Sequence, residues 1–181
     1  MPKIREILIV PHTHHDIGYT HVPEVCLQMQ ERSIYEIIEL CEVGREAAPE
    51  SFRWTVEISR PFIDFLHHAS PEWIERLHML VKRGRVAITA AYAHMTQLIG
   101  HEEYVRSFYP LREIRGKHQF PVSVLQHGDI NGLSWGIVPL MNALQLDTLV
   151  MALNPDHGYA LWNSPVLFTG KAKMVRGFWS G

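Results

Sequence analysis

Hydrophobic positions along the chain switch between two periods, and the switches predict its elements. Ile7 to Val10 is an unbroken apolar run of the kind that is buried on both faces of a parallel sheet. It empties into Pro11-His12-Thr13-His14-His15-Asp16-Ile17-Gly18-Tyr19. From Pro23 to about Glu46, Ile34, Ile37, Ile38 and Cys41 recur at i, i+3, i+4 and i+7, which predicts a helix ending near Gly44. Phe52, Trp54, Val56 and Ile58 then alternate with Arg53, Thr55 and Glu57, the period of a second strand with Glu57 near its carboxyl end. A short helix is predicted from Pro61 to His68. A better marked one opens at Ser70-Pro71-Glu72, buries Trp73, Leu77, Leu80 and Val81, and closes at Gly84. Val86 to Ala91 reads as a third strand, Glu102 to about Arg115 as a helix turning Val105, Phe108 and Leu111 inward, and Pro121 to Gln126 as a fourth strand. Ser134 heads a helix with Ile137, Val138, Met141 and Leu144 inside and Pro139 in its first turn, and Thr148 to Met151 gives a fifth strand. Beyond Asn154 the pattern places no element.

Strands alternating with helices predict a parallel α/β architecture whose chemistry sits at the carboxyl ends of the strands. No repeat or linker divides the chain, so residues 1–181 read as a single domain. A closed eight-fold barrel takes about 250 residues, so the expected architecture is barrel-like but incomplete.

Composition narrows the partners. With 46% hydrophobic residues the chain can bury a sizeable core. A net charge of -2 supplies no electropositive field, which argues against nucleic acid or an anionic membrane as partner. No apolar run approaches the roughly 20 residues of a membrane-spanning helix. Cys26 and Cys41 fall on one predicted helix, too far apart to bridge, and read as buried free thiols. Free thiols, and no recognisable signal peptide, set the expectation of a cytoplasmic location.

Candidate chemistry gathers after three strands. His14 and Asp16 stand two apart in extended chain and project to one face, so a nitrogen and an oxygen donor converge as a divalent cation such as zinc requires. Gly18 permits a sharp turn, and Tyr19 offers a ring at the edge. The third strand runs into Tyr92, His94, Thr96 and Gln97, groups suited to a sugar-like ligand, and the fourth into Asp129 framed by Gly128 and Gly132. His12 is assigned a supporting role, and His15 packs or faces solvent. His127 is open between a site hydrogen bond and a plain loop position, and His67, His68 and His78 are expected on helix surfaces. Glu57, Glu102, Glu103, Asp147 and Asp156 are expected to be solvated or capping acids.

These segments resemble those of glycoside hydrolase family 38, the α-mannosidases. Pro11-His12-Thr13-His14-His15-Asp16-Ile17-Gly18-Tyr19 is similar to that family's P-H-S-H-x-D-x-G-W, with Tyr19 in place of tryptophan. Gln126-His127-Gly128-Asp129-Ile130-Asn131-Gly132-Leu133-Ser134 is similar to its nucleophile segment, and Pro71 to Ala91 to its helix, turn and strand. The resemblance runs from about residue 7 to residue 151. It implies a parallel (β/α) barrel-like domain of the glycoside hydrolase/deacetylase type, and a zinc-dependent retaining hydrolase of α-mannosides. His14, Asp16 and Asp129 would then be zinc ligands, Asp129 also the nucleophile, and Tyr19 and Tyr92 platforms for the sugar. The family's fourth ligand, a histidine, and its acid/base aspartate lie downstream of anything matched here, so the chain is expected to be the amino-terminal part of such a domain.

Two other readings compete. A metal-dependent polysaccharide deacetylase also uses His and Asp at strand ends, but calls for two histidines four apart on a later helix, a pair that His14 with His101 or His118 does not form. A carbohydrate-binding or assembly module without turnover would need no acid/base residue. An unclosed parallel sheet further predicts self-association through its exposed edge.

Overall fold

The computed structural model describes residues 9–43, 52–96, 98–130, 133–153 and 173–178. The first predicted strand lies largely outside them. Its described end joins the sheet by a parallel bridge between His12 and Thr55, with the Thr55 N–H donating to the Pro11 carbonyl. Helix α1, Pro23–Val43, follows and buries Ile34, Ile37, Ile38 and Cys41, the stripe that its periodicity marks out. Strand β1 is Trp54–Val56, α2 is Ser59–His68 and α3 is Pro71–Lys82. Pro71 starts α3, where its missing N–H costs nothing, but the Ser70 hydroxyl makes no capping bond. Gly84, at φ +66, turns the chain out of α3 in a conformation that an L side chain resists.

Strand β2, Val86–Ile88, pairs in parallel with β1, and β3, Val124–Gly128, is reached through a parallel bridge between Thr89 and Val124. Strands β4, Thr148–Leu153, and β5, Lys173–Phe178, add in parallel and in order. Each strand thus lies beside its predecessor in sequence, as in the wall of a (β/α) barrel, and every carboxyl end among them points the same way. Strand β5 falls where the sequence pattern places no element. Fourth and fifth strands both extend further than predicted, to Gly128 and Leu153.

The helix expected from Glu102 to Arg115 is broken. Helix α4 covers only His101–Arg106, a turn follows, and Arg112–Lys117 winds as a π-helix in which the His118 N–H reaches back to the Glu113 carbonyl. Pro110 explains the interruption, because it has no N–H to continue an α-helical ladder. Helix α5, Ile137–Ala143, keeps Pro139 in its first turn.

The core lies between the helices and the sheet. Phe62, Phe65 and Phe120 are almost wholly buried within it, with Phe62 edge-on to Phe120 at 5.3 Å between ring centres. His78 is not the surface residue expected: it stacks on Phe120 at 3.9 Å, ring on ring. Arg85 staples the amino end of the sheet, donating to the carbonyls of Phe52 at 2.7 Å and Cys41 at 3.1 Å. Charged donors on buried carbonyls satisfy acceptors that would otherwise cost about 1–3 kcal/mol each. Cys26 and Cys41 are buried free thiols, as expected.

Candidate metal centre

Consecutive strand ends deliver the site. The segment after the His12 bridge brings in His14 and Asp16, β1 leads into Glu57, β2 into His94, and β3 ends in Gly128 and Asp129. Gly18, at φ +90, turns the first segment back toward α1.

His14 stands between two sets of acids. Its Nδ1 is 3.0 Å from Glu57 Oε1. On the other side of the ring, Nε2 lies 3.6 Å from Asp129 Oδ2 and 3.9 Å from Asp16 Oδ1. His14, Asp16 and Asp129 each present a ligand atom, and these atoms lie within 4.8 Å of one another. Donors held 2.0–2.2 Å from a tetrahedral zinc stand roughly 3.3–3.6 Å apart, so this donor set fits such an ion with small adjustments. The pair picked out by spacing, His14 and Asp16, and the Asp129 that the resemblance adds are therefore neighbours, although more than 100 positions separate Asp129 from the pair.

Glu57 corrects an expectation. It is neither solvated nor a cap: its side chain is 4% exposed and sits beneath the site. Oε1 accepts from His94 Nε2 at 2.8 Å, His14 Nδ1 at 3.0 Å and Gln126 Nε2 at 3.1 Å, while Oε2 faces His12 Nδ1 at 3.2 Å. The Thr89 hydroxyl donates to its backbone carbonyl. Burial pushes the Glu57 carboxyl up, but the hydrogen bonds from His12, His14 and His94 outweigh it and hold the group far below the usual range. Conversely, the Glu57 hydrogen bond raises His14 despite burial, aided by the charges of Glu57, Asp129 and Asp16.

His94 has a fixed role in this network. The Gly128 N–H donates to its Nδ1 at 3.2 Å, so in the neutral ring the proton lies on Nε2, facing Glu57. His127 is buried in β3 and donates to the Ile130 carbonyl at 3.1 Å; burial, with the His94 charge, lowers its pKa to about 4. His12 supports Glu57, and His15 lies half-buried with Nε2 3.2 Å from the Thr20 hydroxyl.

An open cleft of about 620 Å³ lies over the donors, lined by His14, Asp16, Tyr19, His94, Gly128 and Asp129 among others. Tyr19 is 85% exposed there. Tyr92 is half-buried and does not line the cleft; its backbone carbonyl accepts from the Arg60 N–H at 3.1 Å. Asp129 adopts φ +53, left-handed backbone that aspartate tolerates better than most residues. Glu102 pairs with Arg106, Glu103 caps the Gly100 N–H, and Asp147 accepts from the Thr148 hydroxyl, as peripheral acids do. Asp156 lies outside the described residues.

Parallel strands in barrel order, with histidines and carboxylates gathered at their carboxyl ends, define a (β/α) architecture with its candidate chemistry at one end of the sheet. Among solved structures, an alpha-mannosidase from Enterococcus faecalis V583 is similar, with a TM-score of 0.63 at 21% identity, over 79% of this chain and 16% of that one. A protein in the Glycosyl Hydrolase Family 38 from Enterococcus faecalis matches with a TM-score of 0.58 at 19% identity, over 78% of this chain and 16% of its own. A 4-alpha-glucanotransferase from Thermococcus litoralis gives 0.54 at 17% identity, over 84% and 23%. The resemblance read from the sequence is borne out at the level of fold, and the chain spans about a sixth of the mannosidase it matches. No family model and no curated relative matches the chain.

Proposed function

We propose that the chain is the amino-terminal part of a zinc-dependent retaining α-mannosidase-type glycoside hydrolase, carrying the nucleophile and most of the metal site. The supporting observation is the convergence of His14, Asp16 and Asp129 at the strand ends beneath an open cleft, on a fold similar to that of a family 38 protein. His14 Nε2 and the Asp16 and Asp129 carboxylates would hold the zinc. When bound, the ion supplies Lewis-acid attachment for two neighbouring sugar hydroxyls and favours an oxocarbenium-like geometry.

The chain's own residues do the rest. Asp129, held on left-handed backbone at the end of β3, presents a carboxylate oxygen to the anomeric carbon; the new C–O bond forms as the glycosidic bond breaks, and water later opens the ester. Tyr19 packs its ring on the apolar face of the sugar. A retaining enzyme needs a second carboxyl group about 5 Å away to protonate the leaving group, and we assign that group to polypeptide outside the matched region.

An α-mannosyl fluoride bearing a second ring fluorine tests this directly, because fluoride leaves without a general acid and the adduct hydrolyses slowly. Expected is a mass increment on the Asp129 peptide that disappears in Asp129→Asn and after chelation. A chain that takes up no zinc, or whose Asp129 stays unlabelled with zinc bound, would overturn the proposal; reversible sugar binding without labelling would instead identify a binding module.

A further inference from the structure

Beneath the three donors lies a second group, His14, Glu57 and His94, whose ligand atoms are equally close. Two features separate the sets. Glu57 does not line the cleft, whereas Asp16 and Asp129 do, so an ion arriving from solvent meets the outer carboxylates first. Glu57 is also saturated, taking hydrogen bonds from His94, His14 and Gln126 on one oxygen with His12 on the other. Its neighbours come from three other strand ends: His12 and His14 from the first segment, His94 from beyond β2 and Gln126 from β3. A buried carboxylate with that many donors is a hub, and the ring it holds most consequentially is His14.

We propose that Glu57 is a positioning residue for the metal centre: by accepting the Nδ1–H of His14, it fixes that ring's tautomer and angle, so that the Nε2 lone pair points between Asp16 and Asp129. Resting on the zinc reading above, this adds a role to a residue that never touches ion or sugar. A metal-bound imidazole is generally oriented by a carboxylate or carbonyl on its other nitrogen, which also makes it a stronger ligand. Here the same carboxylate holds His94, whose Nδ1 in turn receives the Gly128 N–H. Through that link Glu57 sets the path of the backbone just before Asp129, so two of the three ligands rest on one buried acid.

The test uses the 181-residue chain as wild type, Glu57→Gln and Glu57→Leu, with Glu103→Gln as a surface control. Zinc affinity is measured against a chromophoric chelator, folding by far-UV circular dichroism and melting, and the His14 tautomer from imidazole nitrogen resonances of the metal-free protein at pH 8. Expected are a His14 proton on Nδ1 in the wild type, loss of that preference in Glu57→Leu, and zinc affinity about 10–100-fold weaker in Glu57→Gln with the fold intact. The control should match wild type. A folded Glu57→Gln or Glu57→Leu chain binding zinc as wild type does would overturn the inference, as would a wild-type His14 carrying its proton on Nε2. If Glu57→Leu fails to fold, Glu57→Gln and the wild-type tautomer decide. Should the wild type bind no zinc, the metal reading falls, and the tautomer alone decides whether Glu57 positions His14.

Discussion

Gly128 and Glu57 approach so closely that a methyl group on the glycine would crowd the carboxylate. A Cβ on Gly128 would stand 3.0 Å from Glu57 Oε1, with His94 Nε2 at 3.7 Å and His14 Nδ1 at 3.8 Å behind it. A free carboxylate would swing aside, but this one is pinned by three histidines and a glutamine. Gly128→Ala should therefore cost about 1–3 kcal/mol by overpacking. Denaturant unfolding of the two metal-free proteins measures it, and an unchanged midpoint would mean the hub is looser than described.

Backbone and charge at Asp129 can be separated. At φ +53 asparagine is accommodated nearly as well as aspartate, whereas alanine pays the left-handed penalty of roughly 1 kcal/mol. Asp129→Asn should melt close to wild type and lose zinc and mannosyl labelling. Asp129→Ala should lose both and melt lower; equal melting of the two variants would remove the backbone argument.

Tyr19 tests the cleft without disturbing the fold. Because the side chain is 85% exposed, Tyr19→Ala should leave the melting temperature unchanged. Losing an aromatic face of about 0.5–1.5 kcal/mol should weaken sugar binding roughly 2–12-fold by calorimetry on the zinc-loaded chain. Unaltered sugar affinity would place the ligand elsewhere in the cleft.

His118 supplies a pH dependence remote from the metal centre. Burial holds its pKa below the ordinary 6.5, with Lys117 adding and Glu113 opposing. A depressed folded-state pKa means that the unfolded chain binds the proton first as pH falls, so this contribution is present above pH 6.5 and lost below it. Wild type should lose more stability than His118→Gln between pH 7 and pH 5 in parallel urea titrations. Identical losses would show that His118 is already solvated.

In the core, Phe62→Ala removes a ring with no exposure that packs on Phe65 and Phe120. A loss of about 3–5 kcal/mol is expected from the cavity, read from urea unfolding. A loss below 1 kcal/mol would mean that neighbouring rings close the gap.

Periodicity located the helices around Ile34 to Cys41 and Trp73 to Val81, because burial of one helix face repeats within a few residues and leaves its mark locally. Spacing likewise put His14 and Asp16 on one side of an extended segment, and glycines around Asp129 marked a turn at a strand end. The Pro110 break and the π-turn after it were harder to read, since a proline in a helical pattern can begin a helix or end one. Glu57 was misjudged for a deeper reason. In an isolated strand a charged residue opposite an apolar face belongs in water, and only a parallel sheet covered on both sides, with three histidines arriving from other loops, makes the interior a better place for it. One sequence signal was available, a carboxylate near the carboxyl end of a strand, where the chemistry of a parallel α/β fold is expected. What the chain alone determined was most of its elements and the residue types able to bind a cation. Which of those residues meet, and which acid goes beneath rather than among them, was decided by strand order, because neighbours across a sheet are set by pairing and not by distance along the chain.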